Sequence, residues 1–148
     1  MRMTPLSGPL RIGMLGAGFM ARFHLAAFEG VRNAVIAGVH APTAARREAF
    51  AQAANGAGLG PCVAYPTLEA MLAADLDAIW IAAPNDTRLA TMRTIAAARA
   101  EGRTRVFAVA CEKPLARTLA EAREMLRLAG AAGLLHGYLE NQVFSTAV

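Results

Sequence analysis

Short apolar runs alternate with helix-forming segments along nearly the whole chain, and this alternation is the strongest constraint on its fold. The runs that predict strands are residues 10–15, 34–39, 62–65, 77–82, 105–110 and 134–139. Parallel neighbouring strands need crossover connections, and the helices that supply them cover both faces of the sheet. We therefore predict an α/β fold: a doubly wound parallel sheet of about six strands with helices on both faces.

The segments between these runs have helical spacing of apolar residues and recognisable helix ends. We predict helices over residues 19–28, 43–54, 67–74 and 118–129, the last opened by a capping box of Thr118 and Glu121. A further helix carries Leu89 and Met92 on one face, with Asp86 as its N-terminal cap. Residues 55–60 are rich in glycine and are predicted to form a flexible surface loop. At 148 residues the chain is expected to form one domain.

A glycine-rich turn follows the first predicted strand. Gly16, Ala17, Gly18, Phe19, Met20 and Ala21 fit the pattern G-x-G-x-x-G/A. Gly16 permits a tight turn, Gly18 lets the backbone approach a pyrophosphate, and Ala21 allows close packing of helix on strand. The helix N-terminus adds unpaired N–H groups and a positive dipole end. The pattern predicts a dinucleotide site, although a glycine turn without a ligand is the alternative.

Lys113 is the only lysine among fifteen basic residues. Since arginine supplies the other positive charges, a lysine at this one position suggests a role that a guanidinium cannot fill. An ammonium group can exchange a proton with a substrate oxygen, whereas arginine remains charged at any working pH. We therefore take Lys113 as the candidate catalytic residue, with an accident of composition as the alternative.

The candidate site residues all lie where predicted strands end. In a doubly wound sheet the ligand binds outside the carboxyl ends of the strands, so segments distant in sequence meet there. The candidate cofactor-binding residues are Gly16, Ala17, Gly18, Phe19, Met20, His40, Thr43, Arg46, Ala83, Pro84, Asn85, Glu112 and Lys113.

Three segments together resemble the N-terminal domain of the glucose-fructose oxidoreductase/inositol dehydrogenase (Gfo/Idh/MocA) family. They are the glycine turn at residues 16–21, Pro84-Asn85, and Glu112-Lys113-Pro114-Leu115-Ala116. The Glu-Lys-Pro segment is far more specific than the glycine turn, which many dehydrogenases share. The resemblance implies a Rossmann fold over residues 1–138, with residues 139–148 starting the connection to a second domain.

The resemblance also implies a function. In that family the Rossmann domain binds NAD or NADP, and the lysine of Glu-Lys-Pro contacts the substrate hydroxyl that becomes a carbonyl. By resemblance Lys113 takes this role, Glu112 helps to orient it and the nicotinamide, and Pro114 fixes the turn. A salt bridge at a strand end is the alternative for Glu112. The expected substrate is a polyol, sugar or related hydroxy compound, and the full-length form is expected to be a homo-oligomer.

Two departures from the family pattern concern ligand specificity. The second strand ends in His40 rather than in the Asp or Glu that would bind the adenosine ribose of NAD. Thr43, Arg46 and Arg47 nearby could instead accept a 2′-phosphate, which favours NADP, although a solvated helix face is the alternative for both arginines. Arg88 stands where many members have the histidine of Pro-Asn-x-x-His, and we expect it on an exposed helix turn rather than at an anion.

A third departure is that the chain ends at Val148, without the family's second domain. We expect a fragment of a longer enzyme, inactive alone and loosely packed over residues 140–148. His24 and His136 are expected to serve packing or surface roles. The alternative is a stand-alone NAD(P)- or nucleotide-binding sensor without catalysis.

Composition limits the remaining classes of function. A net charge of +4 with arginines scattered along the chain predicts a solvated surface and no nucleic-acid partner. Cys62 and Cys111 border apolar strands and lack the spacing of metal ligands, so we expect buried thiols, no metal and a cytoplasmic location. No apolar run approaches the length of a membrane span.

Overall fold

The computed structural model describes residues 8–140, 142 and 146. Its strands are β1 (Leu10–Leu15), β2 (Ala34–His40), β3 (Val63–Tyr65), β4 (Ala78–Ile81), β5 (Ala108–Glu112) and β6 (Leu135–Leu139). Its helices are α1 (Phe19–Ala27), α2 (Ala44–Gly56), α3 (Leu68–Leu72), α4 (Arg88–Ala100) and α5 (Leu119–Ala131), with a 3₁₀ turn at Phe28–Gly30. Much of the expected connection over residues 139–148 lies outside the described residues.

The six strands form one parallel sheet in the order β3-β2-β1-β4-β5-β6. Leu15 lies opposite His40 on β2 and Ile81 on β4, and Ile81 in turn lies opposite Cys111 on β5. The register therefore brings four strands to their carboxyl ends at the same edge of the sheet. The predicted doubly wound sheet with helices on both faces is confirmed.

Helices bury apolar side chains on each face of the sheet. One core cluster joins Ala21 and Leu25 of α1 and Phe50 of α2 to the strands, and the other joins Met71 of α3 and Ile95 of α4. Phe50, Met71 and Ile95 are almost completely buried. Burying a side chain of this size contributes about 1.5–3 kcal/mol, so the two clusters supply most of the driving force for folding.

The sequence predicts the fifth strand at residues 105–110, but β5 starts and ends later, at Ala108 and Glu112. The Arg105 guanidinium donates to the carboxylates of Asp75 and Asp77, and pairing with β4 begins only at Ala108. It continues through Glu112, which lies opposite Leu139 of β6. Glu112 is therefore a strand residue rather than part of the following turn.

Two predictions about local structure are wrong. Helix α4 begins at Arg88 with Thr87 as its N-cap residue, and the Thr87 hydroxyl donates to the Pro84 carbonyl at 2.8 Å, so Asp86 does not cap the helix. The bounds of the loop predicted at residues 55–60 are also wrong, because α2 extends to Gly56 and the loop begins at Ala57. The Asn55 side chain closes this loop by bonding both the N–H and the C=O of Cys62, at 2.7 and 3.0 Å.

The capping box of α5 is confirmed in one half only. The Thr118 hydroxyl accepts the N–H of Glu121 at 3.2 Å, as predicted. The Glu121 carboxylate accepts the N–H of Arg117 instead of that of Thr118, at 3.1 Å, and also binds the Arg117 side chain. The ion pair with Arg117 competes successfully for the carboxylate.

Charged side chains connect neighbouring strands at the amino-terminal edge of the sheet. Asp77, buried just before β4, accepts the backbone N–H of Arg11 at 2.9 Å and the guanidinium of Arg105 at 2.5 Å. Asp75 pairs with the same two arginines from the exposed side. These contacts join β1, β4 and the segment before β5 at the edge opposite the carboxyl ends.

Candidate functional site

A cleft of about 650 Å³ lies at the carboxyl ends of β1, β2 and β4. It is lined by the glycine turn, the loop after β2, the loop after β4, and one side each of α3 and α4. The lining residues are Leu15, Gly16, Ala17, Gly18, Phe19, Met20, His40, Ala41, Pro42, Thr43, Arg46, Leu68, Ala82, Ala83, Pro84, Thr87, Arg88 and Thr91.

The fold requires a glycine at position 16, whether or not a ligand binds. Its φ of +107° lies in the region that only glycine adopts without strain. A Cβ at this position would also lie 3.1 Å from backbone atoms of Ala82 and Ala83, which follow β4. The turn after β1 can therefore pass this close to the end of β4 only if residue 16 has no side chain.

Gly18, by contrast, is not required by any contact within the described protein. It is the N-cap residue of α1 with φ −83°, and a Cβ built there meets nothing within 4 Å. The first turn of α1 has neither a side-chain cap nor an acidic residue. Its N–H groups and positive dipole end consequently face the cleft without a partner among the described residues, which is the arrangement that binds a phosphate.

The end of β2 presents neutral and basic groups to the cleft. His40 Nδ1 lies 3.0 Å from the carbonyl oxygen of Tyr65, and the Thr43 hydroxyl does not cap α2. Arg46 lines the cleft and is exposed, and its guanidinium has no hydrogen-bond partner among the described residues. Arg47 differs, because its guanidinium donates to the carbonyls of Ala41 and Pro42 at 3.3 and 3.4 Å.

Arg88 is buried at the start of α4, with 4% of its surface exposed. Its Nε–H donates to the carbonyl of Ala83 at 2.9 Å, and Nη1 donates to the carbonyls of Glu112 and Pro114. The expectation that Arg88 lies on an exposed helix turn is therefore wrong. The guanidinium instead binds carbonyl oxygens at the end of β5 and in the segments that follow β4 and β5.

Glu112 is buried at the end of β5, with 3% of its surface exposed, and its carboxylate has two partners. Oε1 contacts Nε2 of His24 from α1, and Oε2 accepts the backbone N–H of Lys113 at 3.2 Å. The His24 ring also packs against Trp80, with 4.6 Å between ring centroids. His24 thus has the packing role expected of it, together with a contact to Glu112 that the sequence did not indicate.

Lys113 follows Glu112 and is exposed, and the peptide bond to Pro114 is cis. The cleft brings together ten of the thirteen candidate cofactor-binding residues; Asn85, Glu112 and Lys113 are not among its lining residues. The other eight lining residues were not among the candidates: Leu15, Ala41, Pro42, Leu68, Ala82, Thr87, Arg88 and Thr91. The spacing of Thr87, Arg88 and Thr91 on one turn of α4 is the signal that could have found the last three.

The two thiols are buried and unpaired, as the sequence predicts. Burial raises the pKa of Cys62 to about 12 and also raises that of Cys111, where the positive charge of Arg88 opposes the effect. Within residues 8–140, 142 and 146 no group of three or more His, Cys, Asp or Glu side chains could hold a metal ion. No helix in the described part of the chain is long and apolar enough to cross a membrane.

A parallel sheet in this strand order, with a glycine turn closing on a cleft at the first strand's carboxyl end, defines a dinucleotide-binding domain. The chain belongs to the Gfo/Idh/MocA oxidoreductase family with an NAD-binding Rossmann fold, whose sequence model matches residues 10–138. The resemblance stated from the sequence is confirmed. No curated protein sequence matches the chain.

Three solved structures illustrate the shared fold. The WlbA dehydrogenase from Chromobacterium violaceum, in complex with NADH and UDP-GlcNAcA, is 21% identical, with a TM-score of 0.79 over 95% of this chain and 38% of its own. Biliverdin reductase from Synechocystis sp. PCC 6803, with biliverdin and NADP⁺, is 21% identical, with a TM-score of 0.75 over 94% of this chain and 40% of its own. Myo-inositol 2-dehydrogenase from Lactobacillus plantarum is 20% identical, with a TM-score of 0.72 over 93% of this chain and 38% of its own. The chain therefore spans well under half the length of these proteins.

Proposed function

We propose that this chain binds a nicotinamide dinucleotide in the cleft and serves as the cofactor domain of an oxidoreductase. The reaction is hydride transfer between the nicotinamide and a polyol, a sugar or a related hydroxy compound. The observation that carries the proposal is Gly18, where the absence of a side chain leaves space that no described protein atom uses. A pyrophosphate that approaches the backbone there explains that space.

The start of α1 suits a pyrophosphate. The uncapped N–H groups after Gly18 can donate to phosphate oxygens, and the helix dipole favours the negative charge. Gly16 brings this helix end next to the segment after β4, so that Ala83 and Pro84 form the opposite wall. The binding of the phosphates therefore depends on backbone atoms rather than on charged side chains.

The end of β2 suits the adenosine half of NADP better than that of NAD. No Asp or Glu lies among the described lining residues of the cleft, so a ribose 2′-hydroxyl finds no carboxylate acceptor there. Arg46 and the hydroxyl of Thr43 can instead donate to a 2′-phosphate. Arg47 is already bound to two carbonyls and is left out of this role.

Lys113 is proposed as the catalytic residue, acting beyond the mouth of the cleft. When bound, the nicotinamide supplies the hydride chemistry. Lys113 is exposed, so its Nζ can reach a substrate oxygen and transfer a proton to or from it. Glu112 holds the backbone N–H of Lys113 and fixes the point from which the side chain extends.

The substrate class, a homo-oligomeric full-length form and a cytoplasmic location are proposed from membership of the family. The structural neighbours differ widely in the molecules they are named for, which include myo-inositol, UDP-GlcNAcA and biliverdin. The residues that select a substrate therefore differ among proteins that share this fold.

Calorimetric titration with NAD and NADP tests the cofactor proposal. We expect the parent chain to bind NADP, and Gly18→Val to lose at least about tenfold in affinity because its side chain fills the pyrophosphate space. Gly130→Val is the control, since a Cβ there also meets nothing within 4 Å but lies on α5, away from the cleft. Equal affinities for the parent and Gly18→Val would contradict the proposal.

Binding without turnover is the second candidate, and one observation favours it. Neither Glu112 nor Lys113 lines the cleft, so nucleotide binding there does not depend on a catalytic role of either residue. We expect negligible turnover by the 148-residue chain alone, because hydride transfer needs reactants held in contact with water excluded. In any longer active protein containing this chain, parental activity in Lys113→Met would refute the role of Lys113.

A further inference from the structure

The geometry points to Arg88 as the positioning residue for Lys113: its buried guanidinium fixes the backbone on both sides of the lysine to the wall of the cleft. This inference rests on the proposed function, which gives Lys113 its catalytic role. It adds a residue that the resemblance does not assign, at a position where the sequence departs from the family pattern.

Arg88 connects three backbone carbonyls from two strand ends. Ala83, which follows β4 and lines the cleft, accepts the Nε–H at 2.9 Å. Glu112 and Pro114 accept from Nη1, and they are the residues immediately before and after Lys113. The lysine is therefore held between two anchored neighbours, while its own side chain extends to solvent.

Because Arg88 is buried, its side chain depends on these hydrogen bonds to compensate the loss of water. Among the described residues Arg88 is the only buried arginine, and none of the salt bridges in that part of the chain involves it. A buried charge is costly unless hydrogen bonds compensate it, and here three carbonyl oxygens accept hydrogen bonds from the guanidinium. The energy of placing the charge there is recovered only while the segment around Lys113 stays in position.

The three carbonyl acceptors match the donors of a guanidinium. Arginine offers five N–H donors in a rigid planar fork, so one side chain can bind acceptors that lie in different directions. A histidine, which the family pattern places here, has two ring nitrogens and cannot donate to three carbonyls. Arg88 also lines the cleft itself, which couples the position of Lys113 to the wall against which the cofactor is proposed to lie.

Selective labelling makes this inference directly testable, because the chain contains a single lysine. Protein grown with ¹⁵N-lysine gives one backbone amide signal, and its relaxation reports the mobility of Lys113 alone. We expect an order parameter of about 0.85 in the parent, as for rigid backbone, and a fall below about 0.6 in Arg88→Met. Arg93→Met is the matched control on the exposed side of α4 and should leave the signal unchanged.

Circular dichroism establishes that each variant is folded before its relaxation is interpreted. An Arg88→Met protein that folds and keeps the parental order parameter at Lys113 overturns the inference, as does a parent whose Lys113 amide is already flexible. Arg88→Gln, which keeps two N–H donors on a shorter side chain, is the second variant and should show an intermediate loss of order. If neither variant folds, the parent decides: slow hydrogen exchange at Arg88 Nε–H with a rigid Lys113 amide supports the inference, and fast exchange overturns it.

These measurements need no cofactor. Failure of NAD and NADP to bind would refute the proposed function and leave the positioning of Lys113 by Arg88 intact. Conversely, normal cofactor binding with an unaffected Lys113 amide in Arg88→Met would refute only the positioning role.

Discussion

The imidazole of His24, on the first helix, contacts the carboxylate of Glu112, at the end of the fifth strand. The two residues are 88 positions apart in sequence, and the Glu112 side chain is only 4% exposed. The carboxylate also accepts the N–H of Lys113. A single buried group therefore joins α1, which begins at the proposed pyrophosphate site, to the candidate catalytic lysine.

Replacing His24 by alanine should destabilise the fold by about 2 kcal/mol, because a buried carboxylate loses its side-chain partner. Urea unfolding followed by circular dichroism measures the change. The control is His136→Ala, since His136 is exposed on β6 and should change the free energy of unfolding by less than about 0.5 kcal/mol. Equal stabilities for the two variants would show that the contact contributes nothing.

Gly16→Ala should cost about 2 kcal/mol of stability even without a ligand. The cost arises because the alanine must adopt φ near +107° and its Cβ would approach the backbone of Ala82 and Ala83. Gly18→Ala should leave unfolding unchanged within about 0.5 kcal/mol, since its Cβ meets no protein atom. Thermal denaturation of both variants without cofactor separates the two glycines; similar losses of stability would contradict this distinction.

Arg46 and Arg47, although adjacent, should differ in their effect on cofactor affinity. Arg46→Ala should weaken NADP binding by about tenfold to a hundredfold, the value of a charge-assisted contact of about 1.5–3 kcal/mol, and should leave NAD binding nearly unchanged. Arg47→Ala removes a side chain that is bound to two backbone carbonyls, so it should affect both cofactors alike. Parallel calorimetric titrations decide the matter, and tighter binding of NAD than of NADP by the parent would refute the preference.

Stability should decline at alkaline pH through the buried thiol of Cys62. Burial raises its pKa from 9.0 to about 12, so between these pH values the folded state retains a proton that the unfolded state has lost. The stabilisation is complete below pH 9 and is lost as the pH rises toward 12, by up to about 1.4 kcal/mol per pH unit. Unfolding of the parent and of Cys62→Ala should therefore converge above pH 9; parallel pH profiles would contradict the assignment.

The sheet and the cleft could be predicted from the sequence because each depends on local patterns. Apolar runs of strand length and the glycine turn specify their own conformations, and the rule that ligands bind at strand carboxyl ends places them together. Ten candidate residues consequently line one cleft.

The burial of Arg88 and the contact between His24 and Glu112 were not predicted, because the partners of both side chains are distant in sequence. The carbonyls of Glu112 and Pro114 lie 24 and 26 residues beyond Arg88, and nothing local to α4 indicates that they await a donor. The burial of a charged side chain is a property of the assembled strand ends. For the same reason the start of β5 shifted, since Arg105 binds carboxylates at residues 75 and 77.

The ion pairs around Asp77 allow the stability of this domain to be changed separately from its cleft. Because Arg105 pairs with Asp75 and Asp77 at the edge of the sheet opposite the cleft, we expect substitutions of these side chains to change thermal stability without altering any residue that lines the cleft. Variants with a higher melting temperature can therefore be sought first by substitutions at that edge. Substitutions at Arg46 that change cofactor preference can then be introduced into the more stable variant.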